Sequence, residues 1–211
     1  MREPPGNLIR LGRGQLARAS AMLTWAFFED PKLAYIIRDP SARREKGRDL
    51  LEFELRYGMN YGEVYATSPE LEGVAVWLPS KYANITTWRA IRSGALRLRR
   101  AIGGDLMERL MKFSEFLDTS HSRHAPYPHS YLFFIGVSPA HQGNGFASKL
   151  IRPVIAELDR TGTSCYLATQ NPENIGLYEH YGFSIVERTT IPGSDVMHTA
   201  MIRKPRTVQP S

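Results

Sequence analysis

A glycine-bearing segment, VSPAHQGNGFAS, runs from Val137 to Ser148 between a continuous apolar run and an amphipathic stretch. The apolar run predicts a buried strand and the amphipathic stretch predicts a helix, so the amides of about residues 143–148 would point unpaired out of the helix start. An anion is their natural partner, and a glycine at 143 and at 145 would let a phosphate approach the backbone. A strand-to-helix turn that merely needs glycines is the plainer interpretation.

The common nucleotide-binding loops do not fit this segment. The G-x-x-x-x-G-K-[ST] loop is absent from the sequence. The stretch GNGFAS also lacks the G-x-G-x-x-G spacing that is followed, about 20 residues on, by a ribose-binding acidic residue. ATP and NAD are therefore poor candidates for the ligand.

The flanking elements predict an α/β fold with a mixed sheet. Tyr131–Val137 is typical of a central strand covered on both faces, and the strand–helix order after it implies a right-handed crossover with ligand chemistry at the carboxyl end of this strand. Pro31 and Pro40 are expected to break the chain between the first helices. In chain order the pattern predicts a strand at 7–11, a helix from 16 to about 29, a helix from 41, strands at 63–67 and 71–78, a helical insertion at 84–117, a strand at 131–137, a helix from 146, a strand at 164–169, a helix at 173–181, and strands at 183–187 and 195–203.

The insertion at 84–117 carries five arginines between Arg89 and Arg100. They suggest a cationic platform for a membrane or nucleic acid, or a lid beside the ligand site. A solvated helix face is favoured, because Asp105 and Glu108 soon offset the charge and no aromatic residues are interleaved. We therefore expect neither nucleic acid nor a membrane as a partner.

The composition predicts one globular domain over residues 1–211. With 42% hydrophobic and 23% charged residues, the chain has ample core material, and its net charge of +6 suggests an anionic ligand. Cys165 is the lone cysteine, which excludes an intrachain disulfide and a cysteine-based zinc site. No signal-peptide pattern and no apolar run of about 18 residues is present, so we expect a cytoplasmic protein.

Two motifs resemble those of the GCN5-related N-acetyltransferase (GNAT) family. VSPAHQGNGFASKL resembles its pyrophosphate-binding pattern Q/R-x-x-G-x-G/A as Gln142-x-x-Gly145-x-Ala147, and NPENIGLYEHYGF, at 171–183, is similar to its second signature N-x-x-x-x-x-L-Y-E-x-x-G-F. Both occur in family order and spacing. The resemblance covers about residues 130–204, while LEGVAVWLP and AMIRKP are similar to the bacterial antibiotic-acetylating branch typified by puromycin N-acetyltransferase.

The resemblance implies the GNAT fold, a central mixed, mostly antiparallel sheet of about seven strands flanked by helices. It also implies acetyl-CoA as co-substrate, with no metal. Tyr178 would lie beside the thioester sulfur as general acid, and Asn174 and Asn171 would hydrogen-bond the cofactor arm. The implied cofactor-binding residues are Ile135, Gly136, Val137, Gln142, Gly143, Asn144, Gly145, Phe146, Ala147, Ser148, Asn171, Asn174 and Tyr178.

The implied reaction is acetyl transfer to a primary amine of a small molecule by direct attack, with an aminonucleoside-type antibiotic as the acceptor that the branch suggests. A phenol of pKa ~10 is a weaker acid than a thiol of pKa ~8.5, so Tyr178 would stabilise the departing thiolate by hydrogen bonding rather than transfer a full proton. A protein or peptide amine acceptor, a coenzyme A-binding module without turnover, and a purely core-packing Tyr178 are the alternatives. Monomer and homodimer both stay open.

The acceptor amine must be neutral to attack, so a general base is needed most when the amine is strongly basic. An amine of pKa ~10.4 is free only about once in a few thousand at pH 7, whereas one near 7.8 is free roughly one time in seven. The sequence does not rank its four candidates, which are Glu29, Asp30, Glu52 and His129. Residues 118–130, which hold His121, His124 and His129, predict a polar surface loop, and this favours a solvated His129.

Overall fold

A computed structural model describes residues 3–206, and in that part of the chain seven strands form one sheet. The sheet order is β1-β2-β3-β4-β5-β7-β6, and β4 and β5 are its parallel neighbours. The strands are β1 (Ile9–Arg10), β2 (Glu63–Ala66), β3 (Gly73–Pro79), β4 (Ser130–Val137), β5 (Cys165–Thr169), β6 (Ser184–Thr190) and β7 (Met197–Arg203). The helices are α1 (Leu16–Ala26), α2 (Pro31–Ile36), α3 (Pro40–Tyr61), α4 (Thr87–Ser93), α5 (Ala95–Ile102), α6 (Gly104–His124), α7 (Phe146–Arg160) and α8 (Ile175–His180). The expected seven-stranded mixed sheet is confirmed.

Helices cover both faces of the sheet. On one face α1 and α3 pack their apolar residues against β2, β3 and β4, with Leu23 and Leu55 fully buried. On the other face α7 and α8 bury Leu150, Ile151 and Tyr178. The contact of α1 with β4 is close, because a Cβ added to Gly136 would lie only 2.5 Å from the side chain of Leu23. The central strand is thus held between two helical layers.

The two prolines that were expected to break the chain instead begin helices. Pro31 is the first residue of α2 and Pro40 is the first residue of α3. The preceding Asp30 and Asp39 cap these helices, since each carboxylate accepts a hydrogen bond of 2.9 Å from the amide two residues further on. A proline is well tolerated at this position because its missing N–H has no partner inside the helix anyway.

The arginine-rich insertion folds as α4, α5 and α6, so its helical character is confirmed, but the loop predicted at 118–130 is wrong over most of its length. Helix α6 continues to His124 and leaves only residues 125–129 as a connection to β4. Polar side chains hide this last turn from a hydropathy pattern, because Ser120 and His121 are buried there with polar and aromatic partners. No helix in residues 3–206 is long and apolar enough to cross a membrane.

Candidate active site

Strands β4 and β5 separate in the middle of the sheet. Only Ser130–Leu132 of β4 pair with Cys165–Leu167 of β5, although β4 continues to Val137. A bulge accompanies the separation, because Leu132 pairs with Trp77 and Phe134 pairs with Val76, which leaves Phe133 as the extra residue. Beyond this point residues 134–137 pair with β3 alone, so β4 presents backbone groups along an open slot at the centre of the sheet.

The segment after β4 leads into α7 with two glycines in the left-handed region, Gly143 at φ +79° and Gly145 at φ +75°. The amides of residues 145–148 have no hydrogen-bond partner among the described residues. A Cβ added at either glycine would meet no atom within 4 Å, so the space in front of these amides is open. The segment therefore has the exposed helix start that an anion requires.

The polar side chains of this segment brace its backbone. The Nε2 of Gln142 donates to the Val137 carbonyl at 3.2 Å, and the Nδ2 of Asn144 donates to the Gln142 carbonyl at 3.3 Å. These bonds tie the segment to the end of β4. The side chains thus fix the shape of the turn, while the backbone amides remain free for a ligand.

Tyr178 lies on α8, with its ring packed edge-on against Phe183 and only 7% of the residue exposed. Its hydroxyl makes no hydrogen bond within residues 3–206 and is not sealed from solvent. Burial, and to a lesser extent the carboxyl group of Asp30, raise the pKa of Tyr178 above its ordinary value. The phenol therefore stays protonated at neutral pH and keeps a hydrogen to donate.

The two asparagines of the second motif have different surroundings. The Oδ1 of Asn171 accepts a hydrogen bond from the amide of Glu173 at 3.0 Å, so this side chain caps the short turn at Pro172–Asn174. The side chain of Asn174 is half-buried and has no hydrogen-bond partner in the part of the chain described. The side-chain NH2 group of each asparagine has no partner among the described residues, whereas only Asn174 also keeps its side-chain oxygen free. The cofactor role of both stays a prediction.

Asp30 is the base candidate that the fold places near Tyr178. It caps α2, and its carboxyl is close enough to Tyr178 to influence the phenol. Burial raises the pKa of Asp30, and the neighbouring Lys32 only partly opposes this effect. Lys32 is itself held by the buried Glu54, whose Oε1 lies 2.7 Å from its ammonium group. A carboxylate with a raised pKa binds a proton more readily than an ordinary aspartate.

Two of the other base candidates lie in unsuitable places. The side chain of Glu29 is 84% exposed and lies 3.7 Å from Arg43. Glu52 lines a groove between α3 and α5, where it is 2.8 Å from Arg56 and 3.2 Å from Arg97. Neither carboxylate faces the slot between β4 and β5.

His129 is buried, so the expectation of a solvated loop histidine is wrong. Its Nδ1 lies 2.7 Å from the carbonyl of Tyr127, which can only accept, so this nitrogen carries the hydrogen. Its Nε2 lies 2.9 Å from the Nε2 of His121 and must therefore accept a hydrogen bond from it. Burial lowers the pKa of both rings, to about 4 for His121. The pair is neutral, and His129 has no free lone pair with which to take a proton.

A cavity of about 540 Å³ lies between α2, the end of β5 and the turn that joins β6 to β7. One of its lining residues is Pro31, which directly follows Asp30. The residues that line it are Pro31, Ala34, Tyr35, Arg38, Gln170, Pro172, Gly193, Ser194, Asp195, Val196 and Met197. The sequence singled out Pro31 and the motif that contains Pro172, but it gave no indication that these residues meet the turn at 193–197, because they come from three distant segments.

The relationship to known proteins follows from two matches. The chain matches the acetyltransferase (GNAT) family over residues 99–183. A protein of Schizosaccharomyces pombe described as an uncharacterized N-acetyltransferase is 31% identical over 202 residues, which cover 90% of this chain and 80% of that protein. The chain belongs to the GNAT family. It is thus an acyltransferase, and the family's usual acyl donor is acetyl-CoA.

Solved structures share the GNAT fold over nearly the whole chain. A Corynebacterium glutamicum structure described as histone acetyltransferase HPA2 and related acetyltransferase has a TM-score of 0.67 at 22% identity and covers 99% of both chains. Arylalkylamine N-acetyltransferase 2 from Aedes aegypti has a TM-score of 0.62 at 13% identity, over 94% of this chain and 98% of that one. These likenesses show the fold, and the acceptor must be argued from the site.

Trp77 and Cys165 are part of the core of this GNAT domain. Trp77 is 3% exposed and belongs to the core cluster that includes Leu132 of β4 and Leu150 of α7. Cys165 is fully buried, and this burial raises the pKa of its thiol to about 12. Cys165 therefore behaves as a small apolar residue, as the sequence suggested.

Proposed function

We propose that the protein transfers the acetyl group of acetyl-CoA to a primary amine of a small molecule by direct attack of the amine on the thioester. The observation that carries this proposal is the separation of β4 from β5, which opens backbone groups of residues 134–137 in the centre of the sheet. An extended chain can add to such an open strand through main-chain hydrogen bonds. The carboxyl group of Asp30 acts electrostatically on the phenol of Tyr178, and the proposal gives both side chains a role at this opening.

The residues present fit the acyl donor. The open space in front of Gly143 and Gly145, together with the unpartnered amides at the start of α7, suits a diphosphate. The backbone of Ile135–Val137 would hold the pantetheine arm, the segment at 142–148 would hold the diphosphate, and Asn174 would donate its side-chain amide to the arm. When bound, acetyl-CoA supplies an acetyl group already activated as a thioester.

Asp30 takes the proton from the acceptor amine in this proposal. Its pKa is raised by burial, so the carboxylate is a better base than an exposed aspartate. Its neighbour Pro31 lines the cavity, and in this proposal the amine of the acceptor approaches Asp30 from that side. The backbone hydrogen bond from Lys32 fixes the position of its Oδ1.

Tyr178 donates a hydrogen bond to the departing sulfur. The phenol is protonated at neutral pH because burial raises its pKa. It does not transfer a full proton, because a phenol is a weaker acid than the thiol that it faces. Its role is to stabilise the negative charge on sulfur as that charge forms.

A small-molecule acceptor is supported by the size of the cavity. A volume of about 540 Å³ falls in the range of roughly 300–1,000 Å³ that is typical of small-molecule sites. Two structural relatives are named for small amines, an arylalkylamine N-acetyltransferase and an agmatine N-acetyltransferase. An aminonucleoside is the finer acceptor class that the sequence suggested, and the buried lone thiol of Cys165 is compatible with a reducing cytoplasm.

The experiment is an acceptor panel with acetyl-CoA, comprising arylalkylamines, polyamines, aminonucleosides and a peptide with a free N-terminus. With at least one small amine we expect release of free thiol and a product heavier than that amine by about 42 mass units, which is the mass that acetylation adds. Turnover with the peptide alone would favour a protein acceptor. Thermal stabilisation by acetyl-CoA with no turnover of any amine would show a binding module and contradict the proposal.

A further inference from the structure

We infer that Gln170 selects acceptors that carry a hydrogen-bond donor, a hydroxyl or an N–H, on the part of the molecule away from the reacting amine. A one-directional chain of hydrogen bonds holds the side-chain oxygen of Gln170 toward the cavity, where it can accept from such a donor. This inference rests on the proposed function and deepens it, because it names the chemical class of the acceptor.

The chain connects four side chains from four different elements. The Nε2 of Gln170, just after β5, lies 3.2 Å from the Nδ1 of His198 on β7. The Nε2 of His198 lies 3.0 Å from the Oγ of Ser120 on α6. The Oγ of Ser120 is hydrogen-bonded to the Oε2 of Glu187 on β6. Gln170, His198 and Ser120 are all buried, with His198 fully enclosed.

The direction of the chain is set by the carboxylate at its end. Burial would raise the pKa of Glu187, but the hydrogen bond from the hydroxyl of Ser120 and the positive charge of Arg123 oppose this effect, and the pKa is lowered. The carboxylate is therefore ionised and can only accept, so the hydroxyl hydrogen of Ser120 points to it. The oxygen of Ser120 is then free to accept a hydrogen bond from the Nε2 of His198.

The ring of His198 determines which way the side-chain amide of Gln170 is oriented. Burial lowers the pKa of His198 to about 4, so the ring is neutral at physiological pH and carries one hydrogen. With that hydrogen on Nε2, the Nδ1 of the ring has a lone pair and accepts from the side-chain amide of Gln170. The Nε2 of Gln170 must therefore face the core of the protein.

The side-chain oxygen of Gln170, Oε1, remains available to a ligand in the cavity. Gln170 lines this cavity, and its Oε1 has no partner among the described residues and is not enclosed by protein atoms. The neighbouring walls at Pro31, Pro172 and Val196 are apolar. A ligand that covers this oxygen without offering a donor loses the hydrogen bond that water supplied, whereas a ligand with a hydroxyl or N–H replaces it.

The experiment compares matched acceptors that differ in a single hydrogen-bond donor. One set is 2-phenylethylamine, tyramine and the β-hydroxylated analogue of 2-phenylethylamine. A second set is the hydroxylated and deoxy forms of any better acceptor from the panel. The wild type should prefer the donor-bearing member by about tenfold in kcat/KM. In Gln170→Leu this ratio should fall toward one, mainly through a higher KM for the donor-bearing amine.

Two further variants separate selection from a structural role. Ser120→Ala breaks the chain of hydrogen bonds without changing a residue of the cavity. The carboxamide of Gln170 can then rotate by about 180°, so the preference for donor-bearing amines should fall part of the way. Arg123→Met is the matched control, because Arg123 contacts the other oxygen of Glu187, at 3.1 Å, and leaves the chain intact. It should retain the wild-type ratio. Nitrogen-15 NMR of His198 should show the hydrogen on Nε2 in the wild type, a readout that needs no turnover.

The outcomes are distinct. A wild type that acetylates amines without preferring donor-bearing members, or a Gln170→Leu variant that keeps the preference, overturns this inference and leaves the proposed function standing. A hydrogen on Nδ1 of His198 also overturns it. Absence of acetyl transfer by the wild type to any amine contradicts the proposed function itself, and the inference falls with it. If Gln170→Leu does not fold, the ratio in Ser120→Ala and the NMR spectrum decide.

Discussion

The donor side and the acceptor side of the slot are built from different kinds of group. The donor side is contiguous in the sequence, from the end of β4 through the segment at 142–148 into α7, and it offers mainly backbone amides. The acceptor side takes residues of α2, Gln170 and the turn at 193–197 from three distant segments and offers side chains. Backbone groups recognise a constant ligand with little dependence on residue type, whereas side chains can change to suit the acceptor. The comparison predicts that substitutions on each side act on only one of the two substrates.

The largest effect is expected from Asp30→Asn. Asparagine still caps α2, so the protein should fold, but it cannot accept the amine's proton. We expect kcat/KM for a strongly basic amine to fall by about 10²–10³ at pH 7, with unchanged affinity for acetyl-CoA. Steady-state kinetics and calorimetry measure the two quantities. The exposed neighbour provides the control, since Glu29→Gln should retain its activity within about twofold.

The pH profile sharpens the same prediction. Since burial raises the pKa of Asp30, its carboxylate is lost to protonation at a higher pH than that of an ordinary aspartate. An ordinary aspartate has a pKa of about 4. The acid limb of kcat/KM in the wild type should therefore lie at a higher pH than that, and it should be absent in Asp30→Asn. An identical acid limb in both proteins would remove Asp30 from the role of base.

Tyr178→Phe tests the point at which the two sides meet. Removal of one hydrogen-bond donor from the departing sulfur should lower kcat by about 10–100-fold, while affinity for acetyl-CoA changes little. Tyr127→Phe is the control, because this ring is 41% exposed and lies outside the slot. If Tyr178→Phe has the wild-type kcat across the pH range, the ring only packs the core.

Gly145→Val should break the donor side alone. The residue has φ +75° and the space in front of it is open, so a branched side chain would strain the backbone and block a phosphate. We expect the affinity for acetyl-CoA, measured by calorimetry, to fall about tenfold or more. Gly162→Val is the matched control, because Gly162 has φ +64° and open space at the opposite end of α7. Equal affinities in the two variants would argue against a phosphate at residues 143–148.

The smallest expected effect is on acid stability. Burial lowers the folded-state pKa values of His121 and His198 to about 4, whereas the ordinary pKa of a histidine is about 6.5. Between these values the unfolded chain binds protons that the folded protein does not, so stability falls as the pH drops through this window. We expect the melting temperature to decrease by about 5–10 °C from pH 7 to pH 5.

Histidine variants show which residues cause the change of melting temperature with pH. His198→Asn removes one of the buried histidines whose pKa is lowered, so the slope of melting temperature against pH should be smaller than in the wild type. His180→Asn should keep the wild-type slope, because His180 is exposed. A wild type with the same melting temperature at pH 7 and pH 5 would show that the buried histidines titrate normally.

The sequence predicts the donor side better than the acceptor side for a physical reason. The strand at 131–137, the glycines and the start of α7 are adjacent in the chain, so their pattern specifies both the local structure and its use. The sequence does not rank the four candidate bases, and the proposal of Asp30 depends on its burial and its electrostatic effect on Tyr178, which arise only in the folded chain. Gln170 and His198 gave no signal, because their roles depend on tertiary contacts with Ser120 and Glu187.

The helix α6 shows the same limit in secondary structure. Its last turn contains Ser120, His121 and His124, which a hydropathy pattern assigns to the surface. The structure buries two of these residues because their polar atoms find partners inside the protein, which removes the usual cost of burial. A pattern that counts polar residues cannot detect partners that come from elsewhere in the chain.

A sheet normally has two edges, and natural proteins shield both of them from unwanted strand pairing. The early separation of β4 from β5 gives this sheet a third, internal edge that lies between covering helices instead of at the rim. Its unpaired backbone groups lie inside the sheet and away from the rim, where strands of other proteins would pair. The fold thereby turns a feature that is hazardous at a sheet's periphery into one that is safe at its centre.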